Sequence, residues 1–156
     1  MKIAVRNLQK IVKINRSCLK NLVKKICNFL NLNKGYLSLV FADNEVVKEL
    51  NRRYLKKNNP TDVLAFDLTD NFQPQELSAE VIISVEKAEE NSKIFSTDLR
   101  EELLLYIIHG LLHLSGFEDK TSLQKKEMRK KEKEIIIYLH KKEKKLFYSF
   151  LSYSSR

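Results

Sequence analysis

Apolar positions along the chain repeat with two alternating periods. KIAVR near the start and YLSLVFA at 36–42 have the short, β-branched and aromatic character of strands. Between them Leu19, Leu22, Val23, Ile26 and Leu30 fall on one helical face and predict a helix over 17–32. Asp43 is placed to cap a second helix that runs to Tyr54. NNPTDVLAFDL then reads as a turn followed by a strand, because Pro60 fixes φ and has no backbone donor. AEVIISV is a further strand, and the polar, proline-containing stretch between the two suits a hairpin with a long loop. A short helix is expected over 84–95, with Ser84 as its N-cap. Another opens at Asp98 with Glu101 three residues on and runs to about 114, and a highly charged one spans 122–145. With no repeats or long linkers, the expectation is a single α+β domain over 1–146, a small mixed β-sheet covered by helices. An aromatic C-terminal tail over 147–156 follows, for which core packing, base stacking and partner contact all stay open.

The segment LLLYIIHGLLHL, 103–114, is apolar almost all round, as in a buried helix, yet it carries His109 and His113. Residues four apart share a helical face, one turn or roughly 6 Å apart along the axis, so both imidazoles can point at one ion. Gly110 is expected to leave room for their close approach, and Gly116 to end the helix in a positive-φ conformation. The chain can then fold back and bring Glu118 or Asp119 to the same point, which places a metal site at the end of a buried helix. Two imidazoles and a carboxylate are a normal ligand set for a catalytic zinc that keeps a fourth position for water. The competing reading is a pair of core histidines hydrogen-bonded to their surroundings. The glycine break and the paired acids favour metal. His140 lacks such a pattern and reads as a surface or half-buried histidine.

Composition narrows the classes. A chain of 156 residues with 43% apolar content, three glycines and two prolines is long enough for a real core and is globular in character. The charge-interrupted first residues are not expected to be a signal peptide, and no apolar run reaches the ~18 residues of a membrane span. Cys18 and Cys27 form no CxxC pair and read as reduced structural thiols of a cytoplasmic protein. Neither GxGxxG nor GxxxxGKS is present, so a nucleotide cofactor is not expected. The net charge of +9 is unevenly spread: residues 1–30 carry eight Lys/Arg and no acid, 31–124 are net −6, and 125–156 are net +7. An acidic centre suits a cation, and basic flanks suit a polyanion such as RNA, although lysine runs on helices are also simply solvated faces.

HGLLHLSGFED, 109–119, resembles the HGxLHLxGYDH motif of the YbeY family of bacterial rRNA maturation endoribonucleases. LNRRYLKKNNPTDVLAF resembles that family's LNxxYRxxxxPTDVLSF, SAEVIIS its LGDIVIS strand, and Glu127–Met128 a recurring pair in the following helix. The resemblance runs in order over roughly 46–135. It implies a single-strand-specific, metal-dependent endoribonuclease acting in rRNA 3′-end maturation and ribosome biogenesis. It further implies one Zn2+ per chain, rRNA and the small ribosomal subunit as partners, and no membrane association. The family's first two metal histidines fall on His109 and His113, its third on Asp119, and its preceding aspartate on Glu118. Asp62, in the Pro60-Thr61-Asp62 turn, is the candidate to orient a ligating histidine through its second nitrogen, and Glu118 is a second outer candidate.

Two departures stand out. A carboxylate at 119 lowers the site's charge by one relative to histidine, and Leu55 stands where the family carries an arginine directly after the tyrosine. Arg53, Lys56 and Lys57 are the nearby candidates for holding RNA, each displaced by about 100° or more around a helix from position 55. Weakened nuclease activity is therefore expected. The alternative is a non-catalytic, zinc-containing assembly factor that binds rRNA. A zincin-type peptidase is disfavoured, because Gly110 stands where HExxH enzymes carry their general base.

Overall fold

The computed structural model describes residues 1–55 and 62–152. Lys56, Lys57, Pro60 and Thr61 lie outside the described residues, as do the side chain of Leu55 and the last four residues of the tail. Three parallel strands form the body of the sheet: β1 (Lys2–Asn7), β3 (Gly35–Ala42) and β5 (Leu77–Ser84). β4 (Val63–Asp67) pairs antiparallel with β5, giving the order β1-β3-β5-β4. The mixed sheet and the long-looped hairpin are therefore as expected from the sequence.

Alternation along β3 and β5 decides which helix lies on which face. Leu37, Leu39 and Phe41 of β3 and Ala79, Val81 and Ile83 of β5 join the main core. That core also takes in α1 (Arg16–Phe29), α3 (Val85–Phe95), α4 (Leu99–Leu114) and α5 (Ser122–Lys142). Val40, Ala42 and Ile82 face the other way, where Val47 of α2 (Asn44–Leu55) joins Leu64 in a smaller cluster. Single side chains start the helices as the sequence suggests. Asp43 accepts from the Val46 amide, Ser84 from Lys87 and Asp98 from Arg100.

Two helices end earlier than their periodicity predicts. α1 stops at Phe29 rather than 32 because Asn31 adopts φ 60°, the left-handed conformation that asparagine tolerates. The amides of Asn31 and Leu32 then bond back to Asn28 and Cys27, closing the helix end. α5 stops at Lys142 rather than 145, and the chain breaks at Glu143, with φ −128°, into α6 (Lys144–Ser149). No glycine or proline marks that break. It lets Phe147 and Phe150 bury completely and brings β6 (Leu151–Ser152) against β2 (Lys13–Ile14), a two-strand pairing that sequence pattern did not suggest. Of the three fates considered for the aromatic tail, packing is the one observed as far as Leu151.

α4 is the centre of the molecule, with buried residues on nearly all sides. A methyl group built on Gly110 would lie 2.9 Å from Cγ1 of the fully buried Val81. The glycine therefore sets how closely α4 approaches β5, rather than spacing the two histidines as the sequence suggested. Gly110→Ala gains helix propensity worth ~1 kcal/mol but overpacks the helix–sheet contact at about 1–3 kcal/mol. We predict a net loss of about 1 kcal/mol in denaturant melts, and a double variant with Val81→Ala that costs less than the two single variants added. Strict additivity would show that the contact does not limit the helix.

Candidate metal centre

Residues Glu101, Leu105, His109 and His113, spaced by four, form a half-buried edge of α4, which is otherwise buried except at Arg100 and Leu114 near its ends. This edge brings both imidazoles to the rim. Beyond Leu114 the helix closes with the Gly116 amide on the His113 carbonyl and the Phe117 amide on the Leu112 carbonyl. Gly116 sits at φ 97°, the positive-φ turn that the sequence called for, with open space where a side chain would be. The reversal returns Asp119 to the end of the helix.

Three donor atoms converge. Nε2 of His113 lies 3.0 Å from Nε2 of His109, and Oδ2 of Asp119 lies 3.3 and 3.4 Å from the two nitrogens. A tetrahedral zinc with bonds of about 2.0–2.1 Å needs ligand atoms about 3.3 Å apart, so these residues suit such an ion in both chemistry and spacing. Among the described residues this is the group of His, Cys, Asp and Glu side chains that could hold a metal, and it has three members.

Glu132, on α5, completes the arrangement. Its Oε1 lies 2.7 Å from Nδ1 of His109. A carboxylate only accepts, so Nδ1 carries the proton and the Nε2 lone pair of the neutral ring is left facing its neighbours. The sequence reading gave this orienting role to Asp62. At His109 the structure gives it to Glu132. Asp62 accepts from its neighbour's amide at Val63 and lines the same cavity. The carboxylate bond from Glu132 holds the His109 pKa above its ordinary value of 6.5, against the opposing effect of burial, with Asp119 and Asp62 adding in the same direction.

The cavity beside His109 and Asp119 holds about 200 Å3 and is walled by Tyr106, Met128, Lys125 and Arg129, as well as by the acids. Burial pushes the Tyr106 hydroxyl up to about 12, so it stays protonated, and it accepts from Asn91. The other site candidates lie apart. Glu118 faces Lys120 at 3.6 Å with its side chain half exposed. Arg53 lies 3.7 Å from Glu49 along the exposed side of α2 and is not in the cavity lining. His140 stacks on Phe147 and approaches Glu101 at 3.3 Å, a packing histidine rather than a ligand.

Comparison with known proteins agrees with this fold. The family model described as Endoribonuclease YbeY matches residues 4–140. An endoribonuclease YbeY from Syntrophus aciditrophicus is 35% identical over 146 residues, covering 90% of this chain and 91% of the relative. One from a Sulfurovum species is 40% identical over 110 residues, covering 68% and 74%. A solution structure of a Thermotoga maritima protein superposes with a TM-score of 0.60 at 28% identity, covering 91% of this chain and 94% of that one.

The raised His109 pKa fixes a pH dependence for the metal-free protein. A native pKa above the unfolded value stabilises the fold fully below about pH 6.5, and the contribution fades as pH climbs through the native value. In EDTA, the stability gap between wild type and Glu132→Gln should therefore be wide at about pH 6 and narrower at about pH 8. A gap independent of pH would mean that the pair is not linked to protonation of His109.

Proposed function

The chain belongs to the YbeY endoribonuclease family, and on that premise we propose that it is a zinc-dependent endoribonuclease that cuts single-stranded RNA during rRNA 3′-end maturation. One observation carries the reading. His109, His113 and Asp119 present three donor atoms to one point, with His109 held in the required tautomer by Glu132, beside a cavity open to a substrate. In this proposal those three residues hold one ion per chain. A bound zinc supplies Lewis acidity toward a phosphoryl oxygen and toward water. The chain's own groups do the rest. Glu132 keeps the His109 proton on Nδ1, so that ring is a lone-pair donor toward the site. The Asp119 carboxylate completes the set and lowers its net charge. Among the described residues the donor group has three members, which leaves room for substrate, whereas a purely structural zinc is normally closed by four protein ligands.

We place the enzyme in the cytoplasm with the small ribosomal subunit as its site of action. The reading is supported by two unpaired thiols, one of them, Cys27, pushed up to about 11 by burial and so unreactive. No helix among the described residues is long and apolar enough to cross a membrane. Co-sedimentation with small subunits on sucrose gradients is the check on the partner. Absence from those fractions at low salt would remove it.

The metal assignment is tested on purified variants. Asp119→Ala and His113→Ala should lose most bound zinc, measured by elemental analysis, and with it cleavage of a single-stranded oligoribonucleotide. Glu118→Ala should keep the metal. Equal zinc in wild type and Asp119→Ala would remove that ligand from the set. We also propose that Leu55 and the carboxylate at 119 slow cleavage. Leu55→Arg should then raise the rate ~10-fold, the worth of a modest transition-state contact, with zinc content unchanged. An unchanged rate in fully metallated Leu55→Arg would show that position 55 takes no part.

A further inference from the structure

We propose that Lys125 and Arg129 form a phosphate subsite that seats the RNA backbone beside the His109–His113–Asp119 group. The proposal rests on the nuclease reading and deepens it. Both cations wall the same cavity as His109 and Asp119. They lie one turn apart on α5, and Glu132, which holds His109, continues their face. Among the described residues neither forms an ion pair, although Lys131 on the same helix pairs with Glu134. Two uncompensated cations on one wall of a cavity that also carries Asp62, Asp119 and Glu132 have a chemical use. A phosphodiester entering this acidic site is repelled unless positive charge meets it. A guanidinium offers paired N–H donors to phosphate oxygens, and an ammonium adds a mobile point charge.

The end of the helix points the same way. The first turn of α5 carries no acid, and Lys125 follows directly behind it. A helix N-terminus already bears partial positive charge and is ordinarily stabilised by acidic residues, so a lysine there is unfavourable for the helix itself. Thr121 and Gln124 cap the terminus reciprocally, so the helix start is secured without an acid. Lys125, the first α5 residue on the cavity wall, therefore adds to the positive end of the helix with no first-turn acid to offset it.

The test uses the full metallated chain and a labelled single-stranded oligoribonucleotide, with anisotropy read at low temperature before product appears on gels. Lys125→Ala/Arg129→Ala should weaken binding ~10-fold at moderate salt. It should also lower the slope of log affinity against log salt by about 0.7 to 1.4, the share of one or two phosphates on a single strand. Zinc content should not change. The control is Lys126→Ala/Lys130→Ala, which removes the same charge from the neighbouring face of the same helix and should alter affinity by no more than about twofold, within the ordinary effect of a solvated charge. Equal losses in the two double variants would overturn the subsite, since only overall charge would then matter, and would leave the nuclease reading standing. A wild-type protein that neither binds nor cuts the RNA would overturn both.

Discussion

The Glu132 carboxylate, 2.7 Å from Nδ1 of His109, decides which nitrogen of that ring faces its neighbours, and the rest of the site follows from it. A neutral imidazole has one donor and one acceptor. With the donor held by Glu132, the acceptor faces Nε2 of His113 and the oxygen of Asp119. The bond exists because α5 packs along α4. Met128, Ile135 and Leu139 are its buried face, and Glu132 occupies the place in that stripe where a fourth apolar residue would sit. α4 is in turn drawn onto β5 through Gly110. Sheet, central helix and outer helix thus form one chain of contacts that ends at a ring nitrogen.

Much of this was legible in the sequence, for reasons that differ from element to element. The four strands of the main sheet and α4 declare themselves because burial forces their composition, whereas the two-residue β2 and β6 do not. The two histidines stand out because a helix apolar on nearly every side has no other use for them. The positive-φ turn at Gly116 was readable because few other residues take that conformation, and so was the return of an acid after it. Gly110 was noticed, but its partner was not, because a contact with Val81 depends on where a strand lies in space. Glu132 went unremarked for a similar reason. Its signal, one acid in the apolar stripe 128–135–139 of a charged helix, is weak on a helix with so many charges. The end of α5 was unreadable for another cause. The break at Glu143 has no local marker and is stabilised by burial of Phe147 and Phe150 in a core that includes α1, distant in sequence.

Charge ties the site to the wider surface. The middle of the chain is acidic, and at the cavity this takes the form of Asp62 and Asp119, which Glu132 of the basic C-terminal segment joins beside His109. Such a cluster attracts a cation and repels a phosphate, so an RNA-cutting site built here needs positive charge on its rim. α5 spans that requirement within one helix: its inward acid orients a histidine, and the cations on the same face border the cavity. The carboxylate at 119 sharpens the need, since it makes the donor set more negative than three imidazoles.

The most direct measurement is anomalous diffraction from zinc-loaded crystals, collected on both sides of the zinc edge. The account predicts one strong peak per chain, about 2.0–2.2 Å from Nε2 of His109, Nε2 of His113 and a carboxylate oxygen of Asp119, with Glu132 still on Nδ1 of His109. A zinc bound to Glu132, or to Nδ1 of a flipped His109 ring, would contradict it, because the carboxylate would then be a ligand and not the group that aims the histidine.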